Sequence, residues 1–225
     1  MRGRLWLRTF FRALETVRKR TPDFEKIESD RDWTNFIGDV MSEVGANMGC
    51  KVVRRRETSS EKKIADMTPE EQKVSLANFS KGYWEESREY LNIDAVFINE
   101  SEYGLHTWGA KGIRYGPFAL PEAVAELENS WDVDRICYCL WKILCIRAPV
   151  RVLICYQKNK EMTNSLRQRL ESVIWGSSLM KGTDGDLLVI VGQEILQTKP
   201  WSEYFSVFEW RHDSLETVDP TLTTR

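Results

Sequence analysis

The sequence predicts an α/β protein with a mixed β-sheet covered by helices on both faces, a three-layer arrangement. Three observations lead there. Short apolar runs bounded by turn residues occur at 93–99 (IDAVFIN), 150–156 (VRVLICY) and 187–191 (LLVIV), the pattern of strands buried on both faces. Stretches with helical apolar spacing lie at 5–19, 32–48, 132–147 and 161–175. The two patterns alternate, and the strand–helix–strand unit from 122 to 156 is the connection that joins parallel strands across a covered sheet.

Residues 5–19 place Trp6, Phe10, Leu14 and Val17 on one stripe, with arginines opposite. Packing on the domain is the expected use of that stripe. Lying on a membrane surface is the other use of a basic amphipathic helix. Asp30 or Asp32 caps a second helix at 32–48, with Trp33, Phe36, Ile37, Val40, Met41 and Val44 inward. Lys51 to Arg55 is a short strand, 57–68 a polar loop and 69–78 a short helix. After the strand Ile93–Asn99, the segment 100–120 carries Gly104, Gly109, Gly112, Gly116 and Pro117 and reads as loop or ragged hairpin.

Glu122–Glu128 (EAVAELE) has mixed propensity. Pro121 before it, Asn129-Ser130 after it and its shortness favour a strand. Helix 132–147, capped by Asp132 or Ser130 and ended by Pro149, turns Val133, Ile136, Cys137, Leu140, Trp141, Leu144 and Cys145 inward. A buried strand follows at Val150–Tyr156, then helix 161–175 with Leu166, Leu170, Val173 and Ile174 inward. Leu187–Val191 is a buried strand and Tyr204–Trp210 an edge strand. The expected organisation is one domain over 1–225: a basic helical segment at 1–31, a core at 32–211 and a frayed polar tail at 212–225.

A chain 42% hydrophobic and 29% charged has the composition of a globular domain rather than a disordered or membrane-embedded one. No apolar run approaches the roughly 18 residues that span a bilayer, and the start of the chain lacks a secretory pattern. The five cysteines form no CxxC pair and four lie in apolar runs. A disulfide framework and a zinc site are therefore not expected, and the expected compartment is the reducing cytoplasm. The two histidines stand in no metal or triad spacing, and neither a P-loop nor a GxGxxG fingerprint is present. Nine tryptophans supply either core mass or a surface for stacking bases. Net charge is −2, yet residues 1–20 hold Arg2, Arg4, Arg8, Arg12, Arg18, Lys19 and Arg20 against Glu15 alone. A basic end thus adjoins an acidic body.

Three carboxylates stand where solvation is hard to arrange. Asp94 interrupts an apolar strand, and Glu126 and Glu128 alternate with Ala125 and Leu127, so both glutamates project to one side. If the two strands are antiparallel neighbours, Asp94 meets the glutamates at one edge of the sheet. Carboxylates that close repel one another unless a cation compensates. Hard oxygen ligands suit Mg²⁺. The competing reading places these acids at an exposed strand end.

IDAVFIN, a gap, AVAELEN and an amphipathic helix together resemble the core of the PD-(D/E)XK nucleases. The resemblance spans about residues 33–156 and implies a restriction-endonuclease-like αβββαβ core. It implies metal binding at Asp94 and Glu126. The pattern departs at one place: Glu128 stands where the motif has Lys, as in a subset of Type II restriction endonucleases. The family's further acidic residue, from the helix before the first strand, corresponds to Glu43, with Glu85, Glu86 and Glu89 as rivals.

The resulting expectation is a Mg²⁺-dependent endonuclease (Mn²⁺ substituting) that acts on DNA, in restriction or defence. Glu128 would bind the ion or position water. Arg54, Arg55, Arg56, Arg88, Lys111 and Arg114 are candidate phosphate contacts. No membrane partner is expected, and a homodimer is compatible. The alternative is a catalytically silent relative that serves as a binding or assembly module, which the acidic body favours.

Overall fold

The computed structural model describes residues 2–22, 24, 27, 29–54, 93–103, 120–178, 180, 184–193 and 200–219. In chain order the elements are α1 (Arg2–Arg20), α2 (Asp30–Asn47), β1 (Cys50–Arg54), β2 (Ala95–Asn99), α3 (Glu100–Tyr103) and β3 (Ala123–Glu128). There follow α4 (Val133–Leu144), β4 (Val150–Gln157), α5 (Lys160–Ser177), β5 (Asp186–Gln193), α6 (Trp201–Tyr204), β6 (Phe205–Arg211) and β7 (Ser214–Val218). The loop expected at 57–68, the helix at 69–78 and most of the glycine-rich segment lie outside the described residues.

The described strands form one seven-stranded mixed sheet in sequence order, β1 to β7. β3, β4 and β5 run parallel, and the flanking pairs are antiparallel. The α/β fold with a mixed sheet is therefore as the sequence predicts. Alternation along the strands sends side chains into two cores. Ala125, Val152, Ile154 and Ile190 meet α1 and α2 on one face. Val124, Leu153, Cys155 and Val189 meet α4 and α5 on the other. β4 and β5 are covered on both faces and buried almost throughout, which explains their unbroken apolar runs.

The N-terminal helix belongs to the core. Trp6, Leu7, Phe10 and Leu14 are fully buried, Trp6 stacks on Phe10 and its edge meets Phe97. The apolar stripe is thus spent on domain packing, and no described helix is long and apolar enough to cross a membrane. Ser29, rather than the expected Asp30 or Asp32, caps α2. Its hydroxyl accepts from the Asp32 N–H at 3.1 Å and donates to the Asp32 carboxylate.

Three expectations are corrected. β6 is not an edge, and residues 212–219 of the expected tail are not frayed. His212 and Asp213 take φ values of 46° and 63°, the two positive angles of a type I′ turn. They return the chain as β7, whose Leu215 is buried. The buried face of α4 is also rotated from the expected stripe. Cys139 and Ile143 face the sheet, while Trp141 and Cys145 are exposed. Packing extends around one flank of the Ile136–Leu140–Leu144 line, and periodicity alone does not say which flank.

Leu140 is fully buried between α4 and the sheet. Leu140→Ala is expected to lower unfolding free energy by about 2–5 kcal/mol, measured by urea denaturation; a loss below about 0.5 kcal/mol is what a surface position gives and would contradict this packing.

Candidate active site

A cleft of about 820 Å³ opens between the N-terminal half of α2, the ends of β2 and β3, and the outer part of α4. Its position follows from the sheet. β2 and β3 are antiparallel with Ala95 opposite Ala125, so the residue preceding β2 lies beside the C-terminal half of β3. Asp94 is that residue. Its backbone N–H donates to Glu126 Oε1 at 3.2 Å, and its own Oδ2 accepts from the Leu127 N–H at 2.8 Å. Asp94 and Glu126 are thus side by side, and both line the cleft.

Glu126 is 2% exposed. It occupies the α4-facing side of β3, where its neighbours Val124 and Leu153 are apolar. Lys142, reaching back from α4, places Nζ 2.9 Å from Glu126 Oε2. Burial first, and the charge of Asp94 second, push the Glu126 carboxyl up to about 8; Lys142 and the Asp94 N–H pull the other way without prevailing. Burial works against the Lys142 ammonium too, but the hydrogen bond and charge of Glu126, with Asp94 behind them, raise its pKa overall. Burial, with the Asp94 charge behind it, carries the Glu126 carboxyl upward despite the ammonium beside it.

Glu128 shares the face of Glu126 but sits at the strand end, and its carboxylate turns elsewhere. Oε1 accepts from the Ser130 N–H at 2.8 Å; Arg135 Nε and Cys139 Sγ are each 3.9 Å from Oε2. Burial and the charges of Glu126 and Glu128 push the Cys139 thiol up to about 12, so it stays protonated. Among the described residues no three His, Cys, Asp or Glu form a ready metal cluster. The structure brings together a pair, Asp94 and Glu126, with Glu128 one position outward.

The remaining expected residues divide. Arg54 lies in the cleft wall, where its guanidinium pairs with Asp39, donates to Ser42 Oγ at 3.0 Å and rests on Gly38. A Cβ at Gly38 would fall on that guanidinium. Glu43 is not at the site. It pairs with Arg20 at 3.0 Å and binds Asn47. It stands about 200° around α2 from the cleft-lining Met41, because two residues carry a helix to its opposite side. Arg55, Arg56, Arg88, Lys111, Arg114 and the rivals Glu85, Glu86 and Glu89 lie outside the described residues.

Sequence reasoning missed Lys142. Its signal was available: it is the sole charged residue between Ile136 and Cys145 in a helix that otherwise packs. Asn129 was also missed as a site residue. Its amide nitrogen donates to the Asp30 carbonyl at 3.2 Å and to the Thr34 hydroxyl, tying the end of β3 to the start of α2 across the cleft floor. Among the described residues five carboxylates and four cations line the cleft.

The paired acids fit a hard dication. Burial first and the Asp94 carboxylate second press the Glu126 carboxyl toward its neutral form, and an added cation would relieve the repulsion between the two acids. In the metal-free protein the sign of the pH dependence is fixed. Between its ordinary value of 4.5 and about 8, folded Glu126 keeps a proton that the unfolded chain has lost. Stability therefore falls as pH rises through that window and levels off above it. Urea unfolding across pH is expected to show this slope, and Glu126→Gln to flatten it; an unchanged slope in the variant would place the titration elsewhere.

No family model, curated protein or solved structure matches this chain, so the bearing of the site on function rests on its residues and their geometry.

Proposed function

We propose that the cleft hydrolyses phosphodiester bonds of nucleic acid, DNA in the first instance, as a PD-(D/E)XK-like nuclease. The observation that carries this reading is the juxtaposition of Asp94, just before β2, and buried Glu126 on β3, with the Lys142 ammonium 2.9 Å from the glutamate. Asp94 and Glu126 would hold Mg²⁺ or Mn²⁺. When bound, such an ion supplies positive charge to the phosphoryl oxygens of the scissile bond.

The chain's own residues do the rest. Lys142 brings to Glu126, from α4, the ammonium that the third strand lacks because Glu128 stands at the motif position. There it can stabilise the charge that develops on phosphorus-bound oxygen. Glu128, one position outward with Ser130 on one oxygen and Arg135 beside the other, would accept a proton from attacking water only after its carboxylate turned toward the cleft. Arg54, Arg31 and Arg135 on the cleft wall counter phosphate charge.

A second reading has one observation in its favour. A Glu126–Lys142 pair is already a neutralised unit, and no three-ligand cluster occurs among the described residues. In that reading the same fold is a silent binding module, and the pair is structural.

Calorimetric titration with Mn²⁺ beside cleavage of a supercoiled plasmid separates the two. Asp94→Ala and Glu126→Ala are expected to abolish both binding and cleavage. Lys142→Ala is expected to keep the ion but slow cleavage about 10²–10³-fold, as removal of one preorganised charge does. Glu128→Lys, which restores the common motif while leaving both ligands, is expected to retain ion-dependent cleavage. Equal cleavage by wild type and Asp94→Ala would mean that the hydrolytic reading is wrong.

A further inference from the structure

The outer face of α4 carries exposed aromatic surface beside the cleft. Tyr138 is 59% and Trp141 46% exposed. Their rings stack on one another with centroids 5.9 Å apart and planes 27° from parallel. Tyr138 lines the cleft, and Lys142 Nζ lies 6.0 Å from its ring centroid. One turn of helix therefore sends Lys142 inward to Glu126 and a two-ring ledge outward from the mouth. Trp131, also exposed, adjoins the cleft-lining Ser130 and carries Lys158 Nζ 4.3 Å above its ring. Arg135, on the same helix one turn before Tyr138, is largely exposed.

Single exposed apolar side chains are ordinary; a stacked, solvent-facing pair contiguous with a charged cleft is not. The rings fill no part of the two cores. Flat π-faces bordered by ammonium and guanidinium groups match one ligand chemistry closely: a base on each ring, with phosphates drawn to the cations. A duplex presents no base faces except at its ends, so its interior steps cannot use such a ledge. A strand with unpaired bases can.

We propose that Tyr138 and Trp141 form a stacking platform for unpaired nucleobases, which makes single-stranded nucleic acid, or a single-stranded flap or end, the form that this cleft accepts. The proposal rests on the phosphodiester reading of the cleft and narrows it. The strand would lie along α4 with bases on the ledge and its backbone toward Lys142 and the Asp94–Glu126 pair.

The test uses the full chain with Ca²⁺, which takes the same class of oxygen ligands, so that binding is read apart from cleavage. Fluorescence anisotropy follows labelled oligothymidylate, with oligouridylate, a blunt duplex of equal length and an oligothymidylate bearing one abasic position as the other arms. Wild type is expected to bind the single strand at least about tenfold more tightly than the duplex, and Tyr138→Ala or Trp141→Ala to remove about tenfold or more of that affinity. Trp141→Phe is expected to keep most of it. One abasic position is expected to weaken wild type and to add little to Trp141→Ala. The thymidylate and uridylate arms compare DNA with RNA, and oligodeoxyuridylate separates the sugar from the thymine methyl.

Equal affinity for duplex and single strand, or unchanged binding by both alanine variants, would overturn the platform. So would a fall in melting temperature of core-residue size on Trp141→Ala, which would mean that the chain itself covers the ring. Dissociation of a dimer by the same variant would assign the ledge to self-association instead. Cleavage under Mg²⁺ or Mn²⁺ is scored separately. Its persistence without a base effect sinks the platform alone, and a base effect without any cleavage sinks the hydrolytic reading alone.

Discussion

Burying one carboxylate on the apolar face of a β-sheet is the constraint around which this molecule is arranged. Glu126 sits between Val124 and the strand end, under α4, almost without solvent. An isolated charge there would be untenable. The structure answers from both sides. Lys142 descends from the covering helix, and the backbone at Asp94, on the neighbouring strand, donates a hydrogen bond. These answers fix the seating of α4 over β3 and the register between β2 and β3. A one-residue slip of either strand would send Glu126 into the other core or Asp94 to the far side. Asp94 brings a second negative charge as it brings its N–H, and that charge adds to burial in raising the Glu126 carboxyl.

The rest of the architecture makes this placement rigid. β4 and β5, buried on both faces, anchor the sheet from the parallel side, and α1 fills the opposite core with Trp6, Phe10 and Leu14. An aromatic group built from Phe24, Trp33, Phe36, Trp201 and Tyr204 joins α2 to the chain around α6, and the Trp33 indole donates to the Tyr156 hydroxyl at 2.5 Å. α2 is thereby fixed against the sheet on one side while its other side lines the cleft. Among the described residues many of the aromatic rings are core mass. Tyr138 and Trp141 on α4 face outward beside the cleft instead.

Individual elements show how far the sequence could be read. Asp94, Glu126 and Glu128 stood out because charge in apolar strands is unusual, and strand alternation placed the two glutamates on one face. Helix 132–147 and the buried strands followed from period and from bounding turn residues. Lys142 escaped because a lysine in a helix is ordinarily a solvated residue, and only the docking of α4 shows it pointing at the sheet. Glu43 was put forward from its position before the first strand, but the rotation of α2 carries it to the opposite side. β7 escaped because the turn at His212-Asp213 lacks the Asn-Gly or Asp-Gly pair that usually marks a type I′ hairpin.

The sequence by itself determined the layered α/β class, the mixed sheet and the acidic residues of the cleft. Each follows from local periodicity and from the alternation of side chains along a strand, which no long-range contact can alter. Tertiary structure alone decided which cation meets Glu126, which flank of α4 is buried and which aromatic rings remain outside. Those depend on how helices rotate as they dock, and a helix with apolar residues on more than half its circumference can dock in more than one rotation. Packing of Cys139 and Ile143 against the sheet selected the rotation that turns Lys142 inward and leaves Tyr138 and Trp141 facing solvent.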